Sequence, residues 1–171
     1  MTVRGTQPVS LGPARKTQLP RGRYWKDGVS GPVGLTALPD LLVEDEWCGN
    51  QVLVVVDAKH YGESSWPATD SIVKQLIYRH LLSQRHQACN LPIDKIGNAF
   101  LMPVVLADAS VRQRAIHDID GANSSDSFGR IVCLDVDYRA VASSYVRRRA
   151  NARLRELVVD SVMRGMNAPY R

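Results

Sequence analysis

No apolar run in the sequence approaches the roughly 20 residues a membrane-spanning helix needs; the longest, residues 52–56 and 100–107, fall far short, so no membrane association is expected. The first residues hold scattered Pro and Gly but no continuous apolar segment followed by a small-residue cleavage site, which argues against a secretory signal and makes a cytoplasmic protein the expectation. Cysteine is scarce as well. Cys48, Cys89 and Cys133 are odd in number and far apart, with no C-x-x-C pair and no close His, so they suggest reduced thiols, not a disulfide framework or a zinc site. A G-x-S-x-G nucleophile elbow is missing too, which removes support from a hydrolase built on Ser64 or Ser65 with Glu63 and His60 or His80.

What is present is ordinary globular composition: 171 residues, 44% hydrophobic and 23% charged, enough for one domain with a real core. The net charge of +5 is unevenly placed. Residues 1–30 carry six Lys or Arg against Asp27, and residues 139–171 carry eight Arg against Glu156 and Asp160, so an acidic centre lies between basic ends. That arrangement suits a polyanion gripped at the periphery while carboxylates neutralised by a metal work in the middle. Terminal Arg residues that merely solvate a helix face and a tail would give the same counts.

Residues 1–32 are rich in Pro and Gly without a period of 2 or 3.6 and read as a basic tail or loop; residues 33–171 read as the folded domain. Residues 38–44 and 51–59, separated by Trp47-Cys48-Gly49-Asn50, predict a β-hairpin. Its second strand, Val52-Leu53-Val54-Val55-Val56, is apolar on both faces, as a central strand covered on two sides must be. Thr69 or Asp70 opens a helix reaching about Gln87, and residues 99–106 predict a buried strand in which Pro103 marks a bulge or an edge. Further on come a weak helix at 109–118, a strand at 130–136, and one long helix from Tyr138 to about Met163. The fold class expected is α/β, a mixed central sheet flanked by helices.

The chemistry concentrates at the hairpin. Asp40 enters its first strand and Asp57-Ala58-Lys59 leaves its second, so folding the hairpin can bring the two ends together. Residues two apart on a strand share a face. Asp57 and Lys59 therefore lie side by side, while Ala58 turns away and offers its carbonyl near the same spot. Two carboxylates and a carbonyl are hard oxygen ligands suited to Mg²⁺, with Mn²⁺ as a substitute. Lys59 can orient an attacking water, act as its base, or stabilise a developing oxyanion.

Pro39-Asp40, sixteen intervening residues, and then Asp57-Ala58-Lys59 at the ends of consecutive strands resemble the PD-(D/E)XK nuclease superfamily. The likeness continues through His60-Tyr61 and through Asp70-Ser71-Ile72-Val73-Lys74-Gln75 with Tyr78, a pattern similar to restriction endonucleases of the LlaJI and McrC kind. This resemblance implies a restriction-endonuclease-like fold and Mg²⁺-dependent hydrolysis of DNA, with Asp40, Asp57 and Ala58 holding the metal. It also implies that Gln75 touches a metal-bound water or the scissile phosphate, with Lys74 or Tyr78 nearby on the DNA side. Many members carry a Glu on a helix before the first strand. Residues 1–37 contain none, so that ligand is either missing or supplied from another segment.

Trp66, in the loop after the second strand, either anchors that loop in the core or stacks on a base or sugar. Arg147, Arg148 and Arg149 with Arg153 and Arg155 either grip phosphates or solvate a helix face. His80 and His86, six apart, do not share a helix face and read as one packed and one solvated residue. The expectation is an endonuclease, the cleavage part of a restriction or DNA-defence system. Its rivals are a junction-resolvase-like repair nuclease and a non-catalytic DNA-binding or assembly subunit of the same fold. With no helix-turn-helix or zinc finger in sight, sequence recognition falls to loops, another segment or a partner recognition or motor subunit, and a symmetric double-strand cut calls for a homodimer or partner.

Overall fold

The computed structural model describes residues 22–24, 33–35, 39–60, 65–89, 95–118, 129–147 and 151–168. Two short strands, β1 (Gly22–Tyr24) and β2 (Val33–Leu35), pair antiparallel, so part of the expected tail is extended and hydrogen-bonded. The main body is α/β. Its sheet comprises β3 (Leu41–Trp47), β4 (Asn50–Ala58), β5 (Lys95–Val104), β6 (Val111–Asp118) and β7 (Arg130–Asp137) in the order β3-β4-β5-β7-β6. Strands β4, β5 and β7 run parallel in the centre, and the two outer strands are antiparallel to their neighbours. Helix α1 (Thr69–Cys89) connects β4 to β5, while α2 (Tyr138–Val146) and α3 (Ala152–Met166) follow β7. No helix among the described residues is long and apolar enough to cross a membrane.

The hairpin forms as its sequence predicts, and its turn explains its register. Cys48 and Gly49 have φ of 51° and 79°, the left-handed pair of a two-residue I′ turn, whose twist matches that of the flanking strands. From there the ladder runs without interruption from Trp47 opposite Asn50 to Leu41 opposite Val56.

The apolar run of β4 splits between two faces. Val52, Val54 and Val56 pack with Val158, Val159, Val162 and Met163 of α3, whereas Leu53 and Val55 pack with Tyr78 and Leu82 of α1. Each fully buried side chain of this size contributes about 1.5–3 kcal/mol. Close approach of α3 requires small residues. A Cβ at Gly97 would lie 2.8 Å from Val162 Cγ1, and one at Gly165 would lie 2.7 Å from Val132 Cγ2. Arg130, buried within the sheet, donates from Nη1 to the Gly165 carbonyl at 3.3 Å and to that of Ala168, closing the C-terminal turn of α3.

Three expectations are corrected. Residues 111–118 form an edge strand, not a helix; a register shift between Gln113 and Ala115 breaks the alternation that would have marked it. The last helix is two helices, because the Asn151 side chain accepts the Leu154 N–H at 3.0 Å and caps a fresh N-terminus at α3. Pro103 sits in a central strand without a bulge. The Leu101 carbonyl accepts Lys59 N–H from the β4 side, so the nitrogen of Pro103, two residues on, faces the same side, just past the last β4 pairing at Ala58. The donor that proline lacks is therefore not required.

Candidate active site

The site lies at the carboxyl ends of the parallel strands, on the face covered by α1, where open α/β sheets commonly bind ligands. Asp57 is the last buried residue of β4 and is 3% exposed. Its side chain follows Leu53 and Val55 onto the α1 face. Lys59 shares that face, and its Nζ lies 2.5 Å from Asp57 Oδ2. One residue pair beyond the β3–β4 ladder, Asp40 stands opposite Asp57, and its Oδ2 accepts the Ala58 N–H at 2.9 Å. Because a strand residue's N–H and C=O point to the same edge, the Ala58 carbonyl leaves β4 on the side where Asp40 sits.

Asp57 holds its proton more tightly than an ordinary carboxyl. Burial is the main cause; the neighbouring Asp40 adds to it through a hydrogen bond and through like charge, and Lys59 opposes it. Lys74, on the first turns of α1, is exposed, lies 5.5 Å from the centre of the Tyr78 ring, and is held above its usual pKa by the Tyr78 hydroxyl and then by the charges of Asp57 and Asp40. The structure thus gathers Asp40, Asp57, Ala58 and Lys59 in one place, with Lys74 on α1 feeling the charge of the two carboxylates.

Other expected members are elsewhere. Gln75 is fully buried, and its Nε2 donates to the carbonyls of Val55 and Ala99, both at 3.1 Å, while Asn98 Nδ2 donates to the Gln75 carbonyl at 3.3 Å. It tethers α1 to β4 and β5 through Nε2, its Oε1 is buried without a hydrogen-bond partner among the described residues, and the side chain is wholly covered, away from any surface on which a phosphate would lie. Tyr78, 1% exposed, is part of the core with Leu53, Val55 and Leu82, so its ring cannot lie against DNA. Both corrections have one cause: the helix face carrying Gln75 and Tyr78 is the face α1 needs for packing on an apolar sheet. Arg147 is exposed after α2, with no ion pair among the described residues joining it to the site; Arg148, Arg149 and Tyr61 lie outside the described residues. Trp66 is 53% exposed, edge-on to His117 with ring centres 6.4 Å apart, so it does not anchor a loop in the core. His80 is exposed, against Gln84, and the His86 side chain lies outside the described residues.

The donors present suit a hard divalent cation. Two neighbouring carboxylates whose mutual repulsion raises a proton affinity are relieved by a cation, and Mg²⁺ is held by one or two carboxylates plus water and substrate oxygens. Among the described residues no third His, Cys, Asp or Glu joins Asp40 and Asp57 in a metal-holding group.

A second charged group went unnoticed in the sequence. Asp135, 1% exposed in β7, accepts from Arg112 Nη2 at 2.7 Å and from Arg114 Nε at 2.6 Å, both on the edge strand β6. The signal was there: an Asp inside the apolar run Ile131-Val132-Cys133-Leu134-Asp135-Val136 needs a cationic partner. Only the pairing of β6 with β7 says which.

A mixed five-stranded α/β sheet with a carboxylate and lysine pair at the end of a central strand is what fold and site together define. Comparison of the chain with protein-family models, with curated proteins and with solved structures gives no match.

Proposed function

We propose that the chain is a Mg²⁺-dependent endonuclease that hydrolyses DNA phosphodiester bonds, the cleavage part of a restriction or related DNA-defence system. One observation carries the reading: Asp57 and Lys59 project side by side from the end of a buried strand, with the Asp40 carboxylate against Asp57 and anchored on Ala58 N–H. A lone surface ion pair would not account for it, because Asp57 is buried beside a like charge and its ionised form is disfavoured there.

Asp40, Asp57 and the Ala58 carbonyl would hold the cation. When bound, it supplies charge neutralisation for the phosphoryl group and acidifies water. The protein's own groups do the rest. Asp40 is positioned by the Ala58 N–H, and Asp57 by strand geometry. Lys59, only one-fifth exposed, keeps its ammonium at Asp57 Oδ2, from where it can steer a nucleophilic water or pair with the oxygens that gain charge at phosphorus. Lys74 adds positive charge on the α1 side, where the DNA strand would enter. Cutting both strands symmetrically calls for a second copy or a partner subunit.

The test is cleavage of supercoiled, linear and branched DNA by the purified chain with Mg²⁺, Mn²⁺ or EDTA, beside Asp57→Ala and Lys59→Ala proteins. Metal-dependent nicking abolished by both substitutions is the expected result, and preference for branched substrates would redirect the reading to a resolvase. Folded protein that leaves all three substrates intact with either metal overturns it.

A further inference from the structure

Lys59 continues β4 into the ladder with β5, which brings it level with Met102, and Met102 is paired with Asp135 and Asp135 with Arg112. Lys59, Met102, Asp135 and Arg112 thus form one row across four strands on the face covered by α1. At the usual strand spacing the proposed scissile centre on β4 and the strand bearing Arg112 are about 14 Å apart, a few base steps along a DNA strand.

The chemistry of the far end of that row is specific. Arg112 sets Nε and Nη2 on Asp135 Oδ2 at 3.2 and 2.7 Å, and Arg114 sets Nε and Nη2 on Oδ1, both at 2.6 Å. Two guanidiniums on one buried carboxylate leave a net positive charge. The Arg112 side chain is 61% exposed, whereas that of Arg114 is 9% exposed, with an Nη1 that finds no hydrogen-bond partner among the described residues. A guanidinium gripped along its Nε edge still presents the N–H groups at its tip, already oriented, and that fork matches two oxygens of a phosphate. Farther along the same strand, five residues from Arg112, His117 meets the half-exposed indole of Trp66 edge-on, an aromatic surface of the kind on which bases stack.

We infer that Arg112, oriented by Asp135 and backed by Arg114, is a phosphate-binding subsite for the DNA strand, away from the scissile bond on the same sheet face. The inference rests on the proposed function for its choice of DNA, but its test does not involve cleavage.

Binding of a short labelled duplex to the full chain is measured in EDTA across a salt series for the parent, Arg112→Ala and Arg112→Lys, with thermal melts alongside. Arg112→Ala is expected to weaken binding about tenfold and to reduce the slope of log affinity against log salt by about 0.9, the value of one lost phosphate contact. Arg112→Lys should restore the slope without the full affinity, since charge returns but the fork does not. Melting should barely move, because Arg114 still neutralises Asp135. Equal affinity and slope for parent and Arg112→Ala overturn the subsite, as does a parent that does not bind DNA. Arg112-dependent binding by a chain that never cuts would keep the subsite and remove the nuclease.

Discussion

Asp40 and Asp57 stand opposite each other one residue pair past the end of the β3–β4 ladder, and Asp40 takes the Ala58 N–H while its charge raises the proton affinity of Asp57. Replacing Asp40 by Asn keeps an oxygen for that N–H and removes the charge. We expect Asp40→Asn to lower the Asp57 pKa, though not to the ordinary carboxyl value, because burial, the larger cause, persists. A raised folded-state pKa stabilises the fold below the unfolded carboxyl pKa, and that contribution is lost as pH rises through the folded value. Asp40→Asn should therefore lose less stability over that acidic window than the parent. Carboxyl ¹³C titration and melts from acid to neutral pH check both; an Asp57 pKa that stays put or climbs contradicts the pairing.

Lys59 opposes burial at Asp57 through a 2.5 Å ion pair. Lys59→Met should send the Asp57 pKa higher still and destabilise the fold at neutral pH by about 1–3 kcal/mol, with the deficit shrinking as acid protonates Asp57. Any hydrolysis should fall by about 100-fold or more. Urea denaturation at two pH values measures the first effect, and single-turnover cleavage the second.

Buried Gln75 spans two strands through Val55 and Ala99. Gln75→Met should cost about 1–3 kcal/mol, and Gln75→Glu more, since its oxygens would face two carbonyl oxygens. Well below its melting temperature Gln75→Met should keep the parent's DNA affinity and any cleavage. Loss of turnover in a fully folded Gln75→Met protein would return this side chain to the chemistry.

Cys48 occupies the first left-handed position of the hairpin turn, where Asn is favoured before Gly. Cys48→Asn should stabilise the protein by about 0.5–1 kcal/mol without altering the register that aligns Asp40 with Asp57. Chemical denaturation gives the sign, and a destabilised variant would show that the turn is not of this type.

Local sequence was enough where local physics decides. Five consecutive apolar residues from Val52 dictate a strand buried on both faces, Cys48-Gly49 supplies a turn, and the alternation of Asp57 and Lys59 across Ala58 puts them on one face; each follows from chain geometry. The row Lys59, Met102, Asp135 and Arg112 could not be read this way, because it exists only through the order β4-β5-β7-β6, and a bulge hid the strand that carries Arg112. Gln75 and Tyr78 show the same limit. Helical spacing puts them on one face, but whether that face meets ligand or core depends on where α1 lands on the sheet, and the burial of Leu53, Val55 and Phe100 placed it on the core. The sequence determined the hairpin, α1, the buried central strands and the residues able to do chemistry; tertiary packing decided that residues 111–118 form an edge strand and which side chains meet, because partners on different strands are chosen by burial and hydrogen bonding across the sheet, not by their spacing along the chain.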